Sequence, residues 1–93
     1  MEGMASYKGW ITGRLGYNRE NDRYGLLIHD LWEREGFSCG EGLQVMVNDE
    51  WVDTRFEMSW GEDGNQWYLV GTPYRGTDIE YARARVYAWI YED

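Results

Sequence analysis

Cysteine, histidine and proline are each present only once in this chain, and each scarcity narrows what the protein can be. With Cys39 alone there is no internal disulfide, which fits a reducing compartment. One cysteine and one histidine are too few for a zinc site. Cys39 and His29 are the only candidates for a nucleophile–base pair, and they lie on an irregular segment. The plainer reading is a semi-buried thiol and an exposed imidazole, because activation demands tight geometry. No apolar run approaches the roughly 20 residues of a membrane span. The start "MEGMASYKGW" lacks the basic-then-apolar order of a secretory leader, so a cytoplasmic location is expected.

Other chemistry is short of parts. "CGEGLQ" is rich in glycine but has no Lys, Ser or Thr where a phosphate loop needs them. "GEDGN" lacks the alternating oxygen ligands of a calcium loop and reads as a turn. The carboxylate pairs Glu33/Glu35 and Asp53/Glu57 would need a substrate cleft that a small barrel rarely supplies. A non-enzymatic protein with no cofactor and no metal is therefore expected.

What is plentiful is glycine, with 12 residues, and aromatics, with six Trp and eight Tyr. The glycines suit tight turns between strands. The aromatics give a chain of 93 residues the contact area that an efficient small core needs. The net charge of −8 repels phosphate backbones at long range and attracts basic partners, though it also simply confers solubility.

Patterning points to strands. "WITGRLGY" (10–17) alternates, "NRENDR" is a polar turn and "YGLLI" (24–28) returns, so the two form a hairpin. "HDLWEREGFSCGEG" (29–42) reads either as one helical turn around Asp30 to Glu35, ended by Gly36, or as a long excursion. "LQVMVN" and "WVDTRFEMSW" alternate around a turn at Asn48-Asp49 or Asp49-Glu50. One face then carries Val45, Val47, Val52, Thr54, Phe56, Met58 and Trp60. The other carries Met46, Trp51, Asp53, Arg55 and Glu57. "QWYLVGT" (66–72) is a fifth strand. "TDIE" (77–80) has a capping-box pattern, and "YARARVYAWIY" fits a helix or a strand equally well.

Three stretches carry a resemblance: Cys39-Gly40-Glu41-Gly42-Leu43-Gln44-Val45, Trp51-Val52-Asp53-Thr54-Arg55-Phe56-Glu57 and Trp67-Tyr68-Leu69-Val70-Gly71. With "YGLL" they resemble a small family of uncharacterised β domains of Gram-positive bacteria and their mobile elements, over roughly residues 12 to 87. The resemblance implies a compact β domain whose last segment is a strand, and implies no activity. The chain departs from the pattern in its insert, Asp30 to Gly36, and its tail, Tyr87 to Asp93, which directs the search for a private function to those two places.

The expected architecture is a loose N-terminus over 1–6 and one all-β domain over 7–93. That domain reads as a five- to six-stranded SH3-like barrel with at most one helical turn, its core holding Leu43, Val45, Val47, Val52, Phe56, Leu69 and Val86. Two kinds of binding compete. In the first, acidic turns beside Trp32, Glu33, Glu35, Asp49, Trp51 and Asp53 steer and anchor a basic protein partner such as a nucleic-acid enzyme. A mobile-element inhibitor of the DNA-mimic or anti-CRISPR kind would work this way. In the second, a strand over the tail puts Arg83, Arg85, Tyr87, Trp89 and Tyr91 on one face, with Arg14 and Arg55 within reach, which is the recipe for gripping single-stranded nucleic acid. Against both stands the plain reading that the carboxylates solvate turns and the aromatics shield the sheet or pack a homodimer. For Trp51 and Arg55 the plain reading is favoured, because they belong to the family pattern: Trp51 packs across the hairpin on Met46 or its diagonal neighbour, and Arg55 forms surface ion pairs with Asp53 or Glu57.

Overall fold

The computed structural model describes residues 5–62 and 64–92. Seven strands form one antiparallel sheet in the order β3-β2-β1-β7-β4-β5-β6. They are β1 (Ala5–Asn18), β2 (Arg23–Ile28), β3 (Leu31–Arg34), β4 (Gly42–Val47), β5 (Glu50–Gly61), β6 (Gly64–Leu69) and β7 (Arg83–Glu92). A 3-10 turn, Gly76–Ile79, precedes β7. The edge strands β3 and β6 do not pair, so the sheet is open and is not the closed five- to six-stranded barrel expected from the sequence. The loose segment expected over 1–6 falls mainly on residues outside those described, and its last two, Ala5 and Ser6, pair with Glu92 and Tyr91.

Turn chemistry explains the extra strand. His29 and Asp30 both adopt positive φ (52° and 64°), the two-residue turn that joins right-twisted strands tightly. The chain therefore reverses at His29-Asp30 and continues as β3, where a helical turn was one of the two sequence readings. Asn48 and Asp49 do the same (50° and 67°) between β4 and β5. That choice fixes Val45 opposite Val52 and Met46 opposite Trp51, as expected. The tail is a strand: β7 pairs with β1 over ten consecutive positions, from Arg14↔Arg83 to Ala5↔Glu92.

A single sheet with one apolar face must curl to bury it. Leu15, Tyr24, Leu26, Leu43, Val45, Phe56, Leu69, Ile79, Ala84 and Val86 line the inside, with Phe37 sealing it. Five of the seven expected core residues are there; Val47 is half-buried against the cluster and Val52 is half-buried outside it. Phe37 stacks on Phe56 (ring centroids 5.0 Å apart) and Tyr24 on Phe56 at 6.3 Å, joining the two ends of the sheet. The Trp67 indole N–H donates to the Asp22 carbonyl at 3.1 Å and closes the same seam. Asn18 and Asn21 donate their amides to the Glu35 carbonyl, which holds the loop that delivers Phe37.

The motifs behind the resemblance meet one another here. Gly40, at φ 89°, donates its N–H to the Phe56 carbonyl, and the Phe56 N–H donates to Glu41. The Glu41 side chain accepts from the Ser38 N–H and pairs with Arg34. The Thr54 hydroxyl donates to the Val70 carbonyl at 2.6 Å. The Arg55 guanidinium pairs with Glu57 at 2.9 Å, while Asp53 accepts instead from Gln44. The pattern is thus a docking device that fixes Phe56 under the sheet.

The body does not use all of β1 and β7. β2 covers only Arg14 to Asn18 of β1, and β4 covers only Ala84 and Arg85 of β7. The remainder runs out as a two-stranded arm, which gives the molecule extents of 58 × 31 × 23 Å.

Two outcomes test this account. Phe56→Ala is expected to cost about 3–5 kcal/mol in urea unfolding, the range for truncating a buried ring. Burial would raise the Glu41 carboxyl, but its bonds to Arg34 and the Ser38 N–H, with the fields of Arg34 and Arg23, hold it below the usual carboxylate value. A lowered folded pKa stabilises above the unfolded value of about 4.3 and is lost as pH falls through the folded one. The urea midpoint of Glu41→Gln should therefore fall less steeply than that of the wild type below about pH 5.

Candidate nucleic-acid interface

The outer face of the sheet, opposite the core, is set by strand parity. On β1 it carries Lys8, Trp10, Thr12 and Arg14, and on β7 Arg83, Arg85, Tyr87, Trp89 and Tyr91. On β4 and β5 it carries Gln44 and Met46, then Trp51, Asp53 and Arg55. Five of the nine Lys and Arg residues of an acidic chain share this face. Arg83, Arg85, Tyr87 and Trp89 lie together as expected, and Arg14 and Arg55 join them.

The centre is a fixed guanidinium. Arg85 lies 4.1 Å from the Trp10 ring and 4.3 Å from the Trp51 ring. Its Nε donates to the Gln44 side-chain oxygen at 2.8 Å, and the Gln44 amide donates to Asp53 at 2.7 Å. The chain Asp53–Gln44–Arg85 thus fixes the guanidinium between two tryptophan rings. Trp51 accordingly serves as a wall for Arg85 as well as the register partner of Met46.

Beside this clamp, Arg14 and Arg83 sit directly opposite each other on neighbouring strands. Like charges so placed repel and cost stability. Among the described residues the only salt bridges are Arg34–Glu41 and Arg55–Glu57, so Arg14, Arg83 and Arg85 have no carboxylate partner. Arg14 donates to the Tyr81 carbonyl, and Arg83 has only the Trp51 ring at 5.8 Å. Toward the arm the aromatics open to solvent: Tyr87 and Trp89 are 54 % exposed and Tyr91 62 %. Lys8 lies 5.8 Å from the Tyr87 and Trp89 rings, and Trp10 meets Tyr87 edge-on at 5.2 Å.

The six residues expected to form an acidic protein-binding patch fall in two groups, Trp32, Glu33 and Glu35 in and after β3, and Asp49, Trp51 and Asp53 in and just before β5. Trp32 is on β3, with four strands between it and Trp51 on β5 in the sheet order. It is the register partner of Leu27, and a Cβ on Gly25 would fall 2.9 Å from its ring. Trp32 thus covers a glycine gap in the sheet. Glu33 alternates away from Trp32 along β3, and Glu35 lies beyond its end, where its carbonyl accepts from Asn18 and Asn21. Asp49 is a turn residue, and Asp53 belongs to the Gln44 relay.

The Cys39 thiol donates to Glu57 at 3.2 Å. That bond, with burial and the Glu57 charge, pushes the thiol above its ordinary pKa, the opposite of what a nucleophile requires. Among the described residues no group of three or more His, Cys, Asp or Glu could hold a metal ion. No helix is long and apolar enough to cross a membrane.

Together these features define a small antiparallel β domain with an arginine–aromatic outer face. Residues 13–86 match the model of a domain of unknown function, DUF5348, and the chain belongs to that family. No curated protein and no solved structure matches the chain. The matched span ends at Val86, so Lys8, Trp10, Tyr87, Trp89 and Tyr91 lie outside it, on the arm.

The clamp makes its own prediction. Arg85→Gln should lower stability by about 1–2 kcal/mol and shift the Trp10 and Trp51 indole N–H signals in NMR spectra. Arg85→Lys should not restore them, since an ammonium has no plane to stack.

Proposed function

We propose that this domain binds single-stranded nucleic acid on its outer sheet face. The observation that carries the reading is the group Arg14, Arg83 and Arg85: three arginines at neighbouring positions on paired strands, with no salt-bridge partner among the described residues, at the foot of a row of exposed aromatics. A phosphate would relieve their repulsion and take charge-assisted hydrogen bonds from them. Tyr87, Trp89 and Tyr91 recur every second residue, about 6.8 Å apart. That is twice the rise per nucleotide of a stacked strand, about 3.4 Å. The row therefore suits an extended strand with splayed bases, one per ring. A duplex hides those ring faces of its bases and does not match the spacing.

The net charge of −8 does not oppose this at contact distance. Screening confines the repulsion of the remaining surface to about 8–10 Å at ordinary salt. It does lower long-range attraction, so binding should be modest and should rely on stacking. The mimic of nucleic acid suggested by the acidic turns has no comparable cluster behind it.

The test is fluorescence anisotropy with fluorescein-labelled oligothymidylates of rising length, and a duplex control, at low and moderate salt. Saturable binding to the single strands is expected, with a log–log salt slope near −2 for about three phosphate contacts. Trp89→Ala should weaken it by about 1–3 kcal/mol, and Arg83→Glu should reduce both affinity and slope. Absence of binding at low salt, or binding indifferent to both substitutions, would overturn the proposal.

A further inference from the structure

On the opposite, concave side, where the curled sheet fails to close, lies an open cleft of about 890 Å³. Its aromatic lining is Tyr17, Tyr24 and Trp67, and Met58 adds an apolar wall. Its carboxylates are Asp22 and Glu80.

The polar ends of the aromatics are mostly committed elsewhere. The Tyr24 hydroxyl donates to the Gly76 carbonyl at 3.0 Å, and the Trp67 indole N–H donates to the Asp22 carbonyl. Tyr24 is buried, and what Tyr17 and Trp67 still offer a ligand is ring surface. Glu80 is half-buried, and one of its oxygens accepts the Tyr17 backbone N–H at 2.6 Å. Among the described residues neither Glu80 nor Asp22 has a salt-bridge partner. Arg19 also lines the cleft, yet it pairs with neither carboxylate and stacks on none of the three rings. Desolvation raises the Glu80 carboxyl from its usual value, as expected for a carboxylate drawn from water without a cation beside it.

Aromatic rings with an unpaired carboxylate make a binding site for one kind of ligand. Ring faces attract cations, and quaternary ammonium and guanidinium ions favour them because their own hydration is weak. We propose that this cleft receives an organic cation, an ammonium or guanidinium group on an apolar stem, held between the Tyr17 and Trp67 rings and the Glu80 carboxylate. Either a free amine or a Lys or Arg side chain of a polypeptide carries that chemistry. The site is separate from the outer face and does not depend on the nucleic-acid reading.

The experiment is an NMR titration of the isotope-labelled full chain with choline and with methylguanidinium. The control is 3,3-dimethylbutan-1-ol, the neutral counterpart of choline. Saturable shifts are expected at the Tyr17 and Glu80 amides and the Trp67 indole, with the neutral alcohol about tenfold weaker or worse. Glu80→Gln keeps an oxygen for the Tyr17 N–H while removing the charge, and should weaken choline about fivefold or more. Tyr17→Leu, at a 39 % exposed position, is the second variant should the first lose its fold, and should also weaken choline. A Gly-Arg-Gly peptide that binds tighter than methylguanidinium supports a polypeptide source, and one that binds equally supports a free cation. Equal binding of the neutral alcohol overturns the proposal. So does the absence of saturable shifts at these residues, or their confinement to the outer face.

Discussion

The stacking of Phe37 on Phe56 governs this molecule, because a lone sheet has no second layer to cover its apolar side. The sheet supplies its own cover by curling until its ends meet, and those ends meet through rings. Phe56 comes from β5, near one edge, and Phe37 from the loop that leaves the other edge. Every other closing contact serves this pair. Asn18 and Asn21 hold the loop, Tyr24 backs Phe56 from β2, and Trp67 bridges to Asp22. A ring pair can seal a seam that backbone hydrogen bonds leave open, since it contributes large area without needing registry along a strand. The cleft exists for the same reason, as the part of the seam that the rings do not fill.

The curl separates the chemistry of the two sides. Residues pointing inward are apolar by necessity, so charges and surplus aromatics are left to the outer side and the rims. There the positive charge collects on β1 and β7, while the carboxylates of β5, Asp53 and Glu57, are engaged by Gln44 and Arg55. Arg85 shows how a fixed cation is built without burying a salt bridge. Two indoles lie 4.1 and 4.3 Å from it and an amide relay takes its Nε, so the Asp53 carboxylate reaches it only through Gln44. The charge stays available to an anion while the side chain is already ordered, which lowers the entropy lost on binding.

How far this was legible follows from which interactions are local. Alternation exposed the faces of β4, β5 and β7, and with them the row Arg83, Arg85, Tyr87, Trp89. The expected core was mostly right, because a face fixed by parity is buried wherever its strand lies. Residues alone left the tail open between helix and strand, since "YARARVYAWIY" satisfies both periods. Pairing with β1 decided it, and that pairing spans the whole chain. The reversal at His29-Asp30 went unread because neither residue is glycine. Yet His, Asn and Asp are the non-glycine residues that best tolerate positive φ, so "IHDL" did carry a signal. The opposition of Arg14 and Arg83 could not be read at all, for it rests on which strand is whose neighbour. The cleft was hidden in the same way: Tyr17, Tyr24, Trp67 and Glu80 come from four separate segments.

The arm sharpens the division between fold and function. A two-stranded ribbon is marginal in water on its own, and this one extends well past the strands that support it. Its outer face is not trimmed to charged residues, as a ribbon kept only for solubility would be; it presents Trp10, Tyr87, Trp89 and Tyr91. Exposed aromatics on a protruding edge invite unwanted pairing, so holding them there is a standing cost. The motif residues in the body, by contrast, are consumed by contacts with one another: Gly40 and Glu41 with Phe56, Thr54 with Val70, Arg55 with Glu57. Removing the arm's aromatics would leave the Phe37–Phe56 seal untouched. The arm is thus a feature that the core does not need and that solubility disfavours, and the proposed nucleic-acid binding would account for it.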